Sequence, residues 1–102
     1  MLELRPNCEC CDKDLPVDST EAMICTYECT FCKDCVDNIL SDVCPNCGGG
    51  FTLRPIRPCK EYRDGVSVVQ QPQSEKRINT KYTKQQLLDF AENIKHIAPN
   101  KR

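Results

Sequence analysis

Tryptophan is absent from this chain, histidine occurs once, and Phe and Tyr supply only three residues each. A chain of 102 residues that is 39% hydrophobic and this poor in aromatic residues has too little apolar surface to hold a core unaided. No run approaches the roughly 18 apolar residues of a membrane span. The opening "MLELRPNCEC" lacks an apolar stretch after a basic start, so no export signal is expected and the expected location is the cytoplasm. No catalytic constellation stands out, and no enzymatic activity is expected.

Cysteine is what the chain has in excess, at ten residues. Such a content calls for disulfides or metal, and in a reducing compartment metal is the expectation. Three pairs have C-x2-C spacing: Cys8 with Cys11, Cys32 with Cys35, and Cys44 with Cys47. A fourth, Cys25 with Cys29, lies in "CTYEC". Two sulfurs so close in sequence can share one tight knuckle and fill two corners of a tetrahedron around a zinc ion. Eight thiolates complete two closed Zn(Cys)4 sites, which hold structure and leave no position for a reacting water. In "VCPNCGGG", Pro45 fixes the backbone behind the first ligand and Gly48 permits the turn behind the second. Thiolates accept iron as well, and zinc is the expected metal.

The stretches "EAMICTY" and "CTFC" alternate like a short β-hairpin. In "KDCVDNILSDV", Val36, Ile39, Leu40 and Val43 recur at helical spacing, so a short helix is predicted to begin around Cys32 to Cys35. A knuckle, a hairpin and a helix whose first turn supplies two ligands form a treble clef. The first metal then joins Cys8 and Cys11 to Cys32 and Cys35, leaving Cys25, Cys29, Cys44 and Cys47 for the second. Leu15, Ile24, Phe31, Ile39, Leu40 and Val43 are the expected small core.

This interleaving, in the order C-x2-C-x13-C-x3-C-x2-C-x2-C-x8-C-x2-C, resembles the cross-brace of RING fingers, with Cys29 where most RINGs have His. "LELRPNCECCDKDLP", "CTFCKDC" and "CPNCGGGF" with "RPIRP" more closely resemble a family of small bacterial proteins catalogued as domain of unknown function 1272, over Met1 to about Pro58. That resemblance implies a small zinc-stabilised α+β fold without a function. RING ligases place an apolar residue after the first ligand and often a basic one after the last. This chain has Glu9 and Gly48 there, which disfavours ubiquitin-ligase activity.

The remaining residues have plainer expectations. Cys10 is read as a small buried hydrophobe, Cys59 as a free surface thiol, and His96 as a solvated helix residue. Residues 1–58 form the expected zinc domain, and residues 59–81 a polar linker with one short strand at Val66 to Val69. Residues 82–102 carry a separate amphipathic helix from about Lys84 to Ala98. Its signals are a Thr83/Gln86 capping box, a Tyr82/Leu87 staple and an apolar face of Leu87, Phe90, Ala91, Ile94, Ile97 and Ala98, ended by Pro99.

Charge divides the chain. Residues 1–50 carry 3 Lys/Arg against 10 Asp/Glu, whereas residues 51–102 carry 11 against 5. Two Zn(Cys)4 centres would bring the first half to about −11. Such a module repels phosphate, so nucleic acid is not an expected partner. The leading expectation is a structural-zinc module for protein–protein contacts, with self-association through the C-terminal helix as an option. The alternative is a metal- or redox-responsive protein using Cys10 and Cys59.

Overall fold

The computed structural model describes residues 1–102. Strand β1 (Ala22–Ile24) turns through Cys25–Cys29 into β2 (Thr30–Cys32), with Met23 opposite Phe31. The turn is tight: Glu28 adopts a left-handed φ of 66°, and its N–H reaches the Cys25 carbonyl at 3.1 Å. A third strand, β3 (Thr52–Leu53), pairs antiparallel with the other side of β1, giving the order β2-β1-β3. The hairpin is the one the alternation predicts. At two residues, β3 is too short to show any alternation of its own.

Helix α1 (Lys33–Cys35) starts directly after β2 and continues as a π-helical stretch, Val36–Leu40. The helical periodicity there was legible, but the widening of its turns was not, because π-type turns arise from local geometry and favour functional sites. The stretch ends where Ser41 and Asp42 both take left-handed φ values, 50° and 60°. Val43 consequently leaves the helix while remaining buried.

The core centres on Phe31, which is fully buried and meets Phe51 edge to face, with centroids 5.4 Å apart and planes at 74°. Leu15, Leu40, Val36, Ala22 and Leu87 join them, with six of the cysteines packed among them. Ile24 and Ile39 are only half-buried, a correction to the expected core. The expectation also omitted Leu4, Phe51 and Leu87, all of which are buried.

Helix α2 (Lys84–Ile94) opens with the expected capping box, in which Gln86 N–H donates to Thr83 Oγ1 at 3.2 Å and Thr83 N–H to Gln86 Oε1 at 2.8 Å. It buries Leu87 and Ala91, Leu87 joining the core, while Phe90 stays exposed. The helix stops at Ile94, short of the expected Ala98. Pro99 has no N–H to continue the ladder and holds Ala98 extended, at ψ 141°; a 3-10 turn follows, Pro99–Lys101.

Residues 59–81 contain neither strand nor helix. Where a strand was expected at Val66 to Val69, the chain turns about buried Ser67, whose Oγ accepts from the N–H groups of Val69 and Gln70. This correction follows from serine's ability to satisfy local backbone donors in place of a ladder. The segment is tied to the first half along its length. Ser74 N–H donates to the Leu4 carbonyl at 2.9 Å and Gln73 Nε2 to the Leu15 carbonyl at 2.7 Å. Further on, Asn7 Nδ2 reaches the Ile78 carbonyl at 3.0 Å, and Arg77 pairs with Asp12 and Asp14. No helix is long and apolar enough to cross a membrane.

Candidate metal centres

The first thiol cluster is assembled from two distant stretches. Cys8 and Cys11 lie on a knuckle closed by Cys8 N–H to the Lys13 carbonyl and Asp12 N–H to the Cys8 carbonyl, both at 2.9 Å. Asp12 takes a left-handed φ of 64° to make that turn. Cys32 ends β2 and Cys35 ends α1. The four sulfurs lie within 4.8 Å of one another, with Cys8, Cys32 and Cys35 buried and Cys11 exposed. A Zn–S distance of about 2.3 Å implies tetrahedral edges of about 3.8 Å. Cys11 Sγ and Cys32 Sγ stand 3.8 Å apart. Donor type and spacing therefore fit a tetrahedral thiolate metal.

The second cluster brings together Cys25, Cys44 and Cys47, again with sulfurs within 4.8 Å of one another. Its second knuckle is closed by Gly48 N–H to the Cys44 carbonyl at 2.7 Å and Cys44 N–H to the Gly49 carbonyl at 2.8 Å. Gly48 has φ 80°, a conformation in which a Cβ would be strained. Cys29 stands outside that trio's mutual spacing; its buried sulfur accepts from Asn46 Nδ2 at 3.4 Å. Backbone donors also point at sulfur, Tyr27 N–H to Cys25 at 3.3 Å and Gly49 N–H to Cys47 at 3.4 Å. Such donors stabilise thiolate charge.

Burial pushes the Cys8 thiol up to about 11, partly opposed by the backbone N–H groups of Cys11, Cys32 and Cys10. Cys35 and Cys44 are raised further, by burial first and then by neighbouring thiolates. Cys29 is raised by burial, with Asn46 working the other way. Sulfurs packed this closely resist ionising together until a cation compensates them. All ten cysteines are free thiols, so no disulfide competes for them.

The other singled-out residues sort as follows. Cys10 is half-buried beside the first cluster, and Cys59 and His96 are exposed. Glu9, expected at a contact position, is buried. Its Oε2 accepts from Thr30 N–H at 3.1 Å and Arg5 Nη1 at 3.2 Å, and its Oε1 from Asn46 Nδ2 at 3.2 Å. Nothing in the sequence pattern marks Glu9 as interior, since an acidic residue beside a ligand reads as solvated. Arg54 is likewise buried, donating to the carbonyls of Arg5 at 2.8 Å and Pro16 at 3.0 Å.

No solved structure matches the chain. An uncharacterized protein of Rhizobium meliloti (strain 1021) is 57% identical over 76 residues, covering 72% of this chain and 90% of that protein. The similarity thus extends beyond the 57 residues matched by a family model. That model, described as protein of unknown function (DUF1272), spans residues 1–57, more than half of the chain, and the protein accordingly belongs to this family.

Proposed function

We propose that this protein is a structural zinc-binding module, built as a RING-like treble clef, whose role is to present a small surface to protein partners. The observation that carries the reading is the four-sulfur group of Cys8, Cys11, Cys32 and Cys35, gathered within 4.8 Å from two stretches 21 residues apart, with Cys8, Cys32 and Cys35 packed into the core. In this reading Cys25, Cys44 and Cys47 hold a second Zn2+, with Cys29 as the fourth ligand. The metal supplies the cross-linking that so few apolar residues cannot. Native mass spectrometry of the purified chain tests this: two zinc ions and ten unmodified cysteines are the expected result, and a metal-free or disulfide-bonded folded chain overturns it.

The same reading assigns no enzymatic reaction. At the two positions by which a RING engages a ubiquitin-conjugating enzyme, the Glu9 side chain is buried and the Gly48 carbonyl accepts from Arg102 at 3.3 Å. No ubiquitin discharge is expected in its presence. A cytoplasmic setting agrees with ten free thiols. The partner is proposed to be protein, because the acidic first half disfavours nucleic acid.

A second reading, a redox- or metal-responsive protein, draws on Cys10, a fifth thiol half-buried beside the first cluster. Mild peroxide separates the two: a structural module retains its zinc, whereas a responder releases it with oxidation of Cys10.

A further inference from the structure

We propose that the buried Glu9 carboxylate couples the two thiol clusters, so that they take up metal together; the proposal rests on the zinc reading above. Glu9 directly follows Cys8, a fully buried member of the first cluster. Its Oε1 accepts from Asn46 Nδ2 at 3.2 Å, and Asn46 lies between Cys44 and Cys47 of the second cluster. The same Asn46 nitrogen reaches Cys29 Sγ at 3.4 Å. Glu9 Oε2 accepts from the N–H of Thr30, the residue after Cys29, at 3.1 Å, and that pairing is doubled by Glu9 N–H to the Thr30 carbonyl at 3.0 Å. One carboxylate therefore sits a single residue from the first cluster and a single hydrogen bond from both cysteine pairs of the second.

A buried carboxylate deprived of its donors is costly, so its position is stable only when those donors are in place. Metal in the second cluster fixes the Cys44–Cys47 knuckle and the Cys29–Thr30 turn, which places Asn46 Nδ2 and Thr30 N–H. These hold Glu9, and Glu9 holds the backbone of Cys8. Linkage makes the effect reciprocal: metal in the first cluster fixes Cys8 and presents Glu9 to Asn46. Arg5, whose Nη1 meets Oε2 at 3.2 Å, offsets the carboxylate charge without joining either cluster. Sequence connectivity alone also links the sites, since Cys29 and Cys32 belong to different clusters. The side-chain bridge is the part that a substitution can remove.

The test is a zinc titration of the metal-free full chain, read by native mass spectrometry. Glu9→Gln keeps size and an acceptor oxygen but disrupts the all-acceptor pattern that receives Asn46, Thr30 and Arg5 together. At one zinc per chain, the wild-type protein should show mainly metal-free and two-zinc species. The one-zinc species should rise about tenfold in Glu9→Gln, with two zinc ions still bound at excess metal. A cycle with Cys47→Ser separates coupling from simple weakening of one site. Crippling the second site should lower the first site's zinc affinity about tenfold more with Glu9 present than in Glu9→Gln, where only the chain connectivity still links the sites. Equal effects in both backgrounds, or a wild-type chain that fills stepwise, overturn the coupling alone. A wild-type chain that takes up no zinc overturns the metal reading beneath it.

Discussion

Arg102 Nη1 donates to the Asp42 carbonyl at 2.7 Å, fastening the last residue of the chain to the turn that leads into the Cys44 knuckle. The same guanidinium reaches the carbonyls of Gly48 at 3.3 Å and Ile97 at 2.9 Å. These bonds hold both flanks of the second cluster. Arg102→Ala should cost about 1–2 kcal/mol, the worth of a few partly exposed hydrogen bonds from a charged donor. It should speed zinc loss from the second site directly and from the first only through the Glu9 link, so the second site is affected more. Release to a chromogenic chelator, followed at each site by the rate of its phase, checks this.

Phe31 is fully buried against Phe51, so Phe31→Ala should destabilise the metal-loaded protein by about 3–5 kcal/mol, and Phe31→Leu by distinctly less. Denaturant titration at saturating zinc would show it. Equal losses for the two variants would mean that the edge-to-face contact with Phe51, and not the volume filled, carries the stability.

Leu87 is the side chain by which α2 enters the core. Leu87→Ala should cost about 2–5 kcal/mol and increase binding of a hydrophobic dye, with two zinc ions retained. Loss of zinc in that variant would make α2 an integral part of the metal sites.

The cysteine variants divide by role. Cys29→His should keep the second metal, because neutral imidazole can complete a tetrahedron, whereas Cys29→Ala should weaken it. Cys10→Ser and Cys59→Ser should each keep both metals. Zinc counting by native mass spectrometry decides all four.

Zinc binding should depend steeply on pH. Cys8, pushed up to about 11, enters at pH 7 as a thiol whose proton the metal must expel. Each thiol proton the metal displaces adds up to about one power of ten per pH unit to the affinity near neutrality, and affinity should fall correspondingly in acid. Chelator competition at pH 6, 7 and 8 measures the slope; a flat profile would exclude thiolate ligation.

Local patterns foretold local structure here. The β1–β2 hairpin, the helix entered at Cys32 and the Thr83/Gln86 capping box follow from residue spacing and turn chemistry within short windows. Strand β3 and the course of residues 59–81 did not, because each depends on partners distant in sequence. Asn7 illustrates the point: its amide reaches Ile78 and Asn79, across 71 and 72 residues.

The sequence by itself marked a chain poor in apolar residues that carries eight paired thiols at metal-ligand spacing. Spacing constrains which sulfurs share a knuckle, because a few residues span only a few ångströms. Tertiary structure alone decided that Cys29 stands beside its trio with Asn46 at its sulfur and that Glu9 lies inside between the clusters. Those outcomes depend on which buried donors and charges find partners, and a one-dimensional pattern does not record the desolvation that makes such partners obligatory.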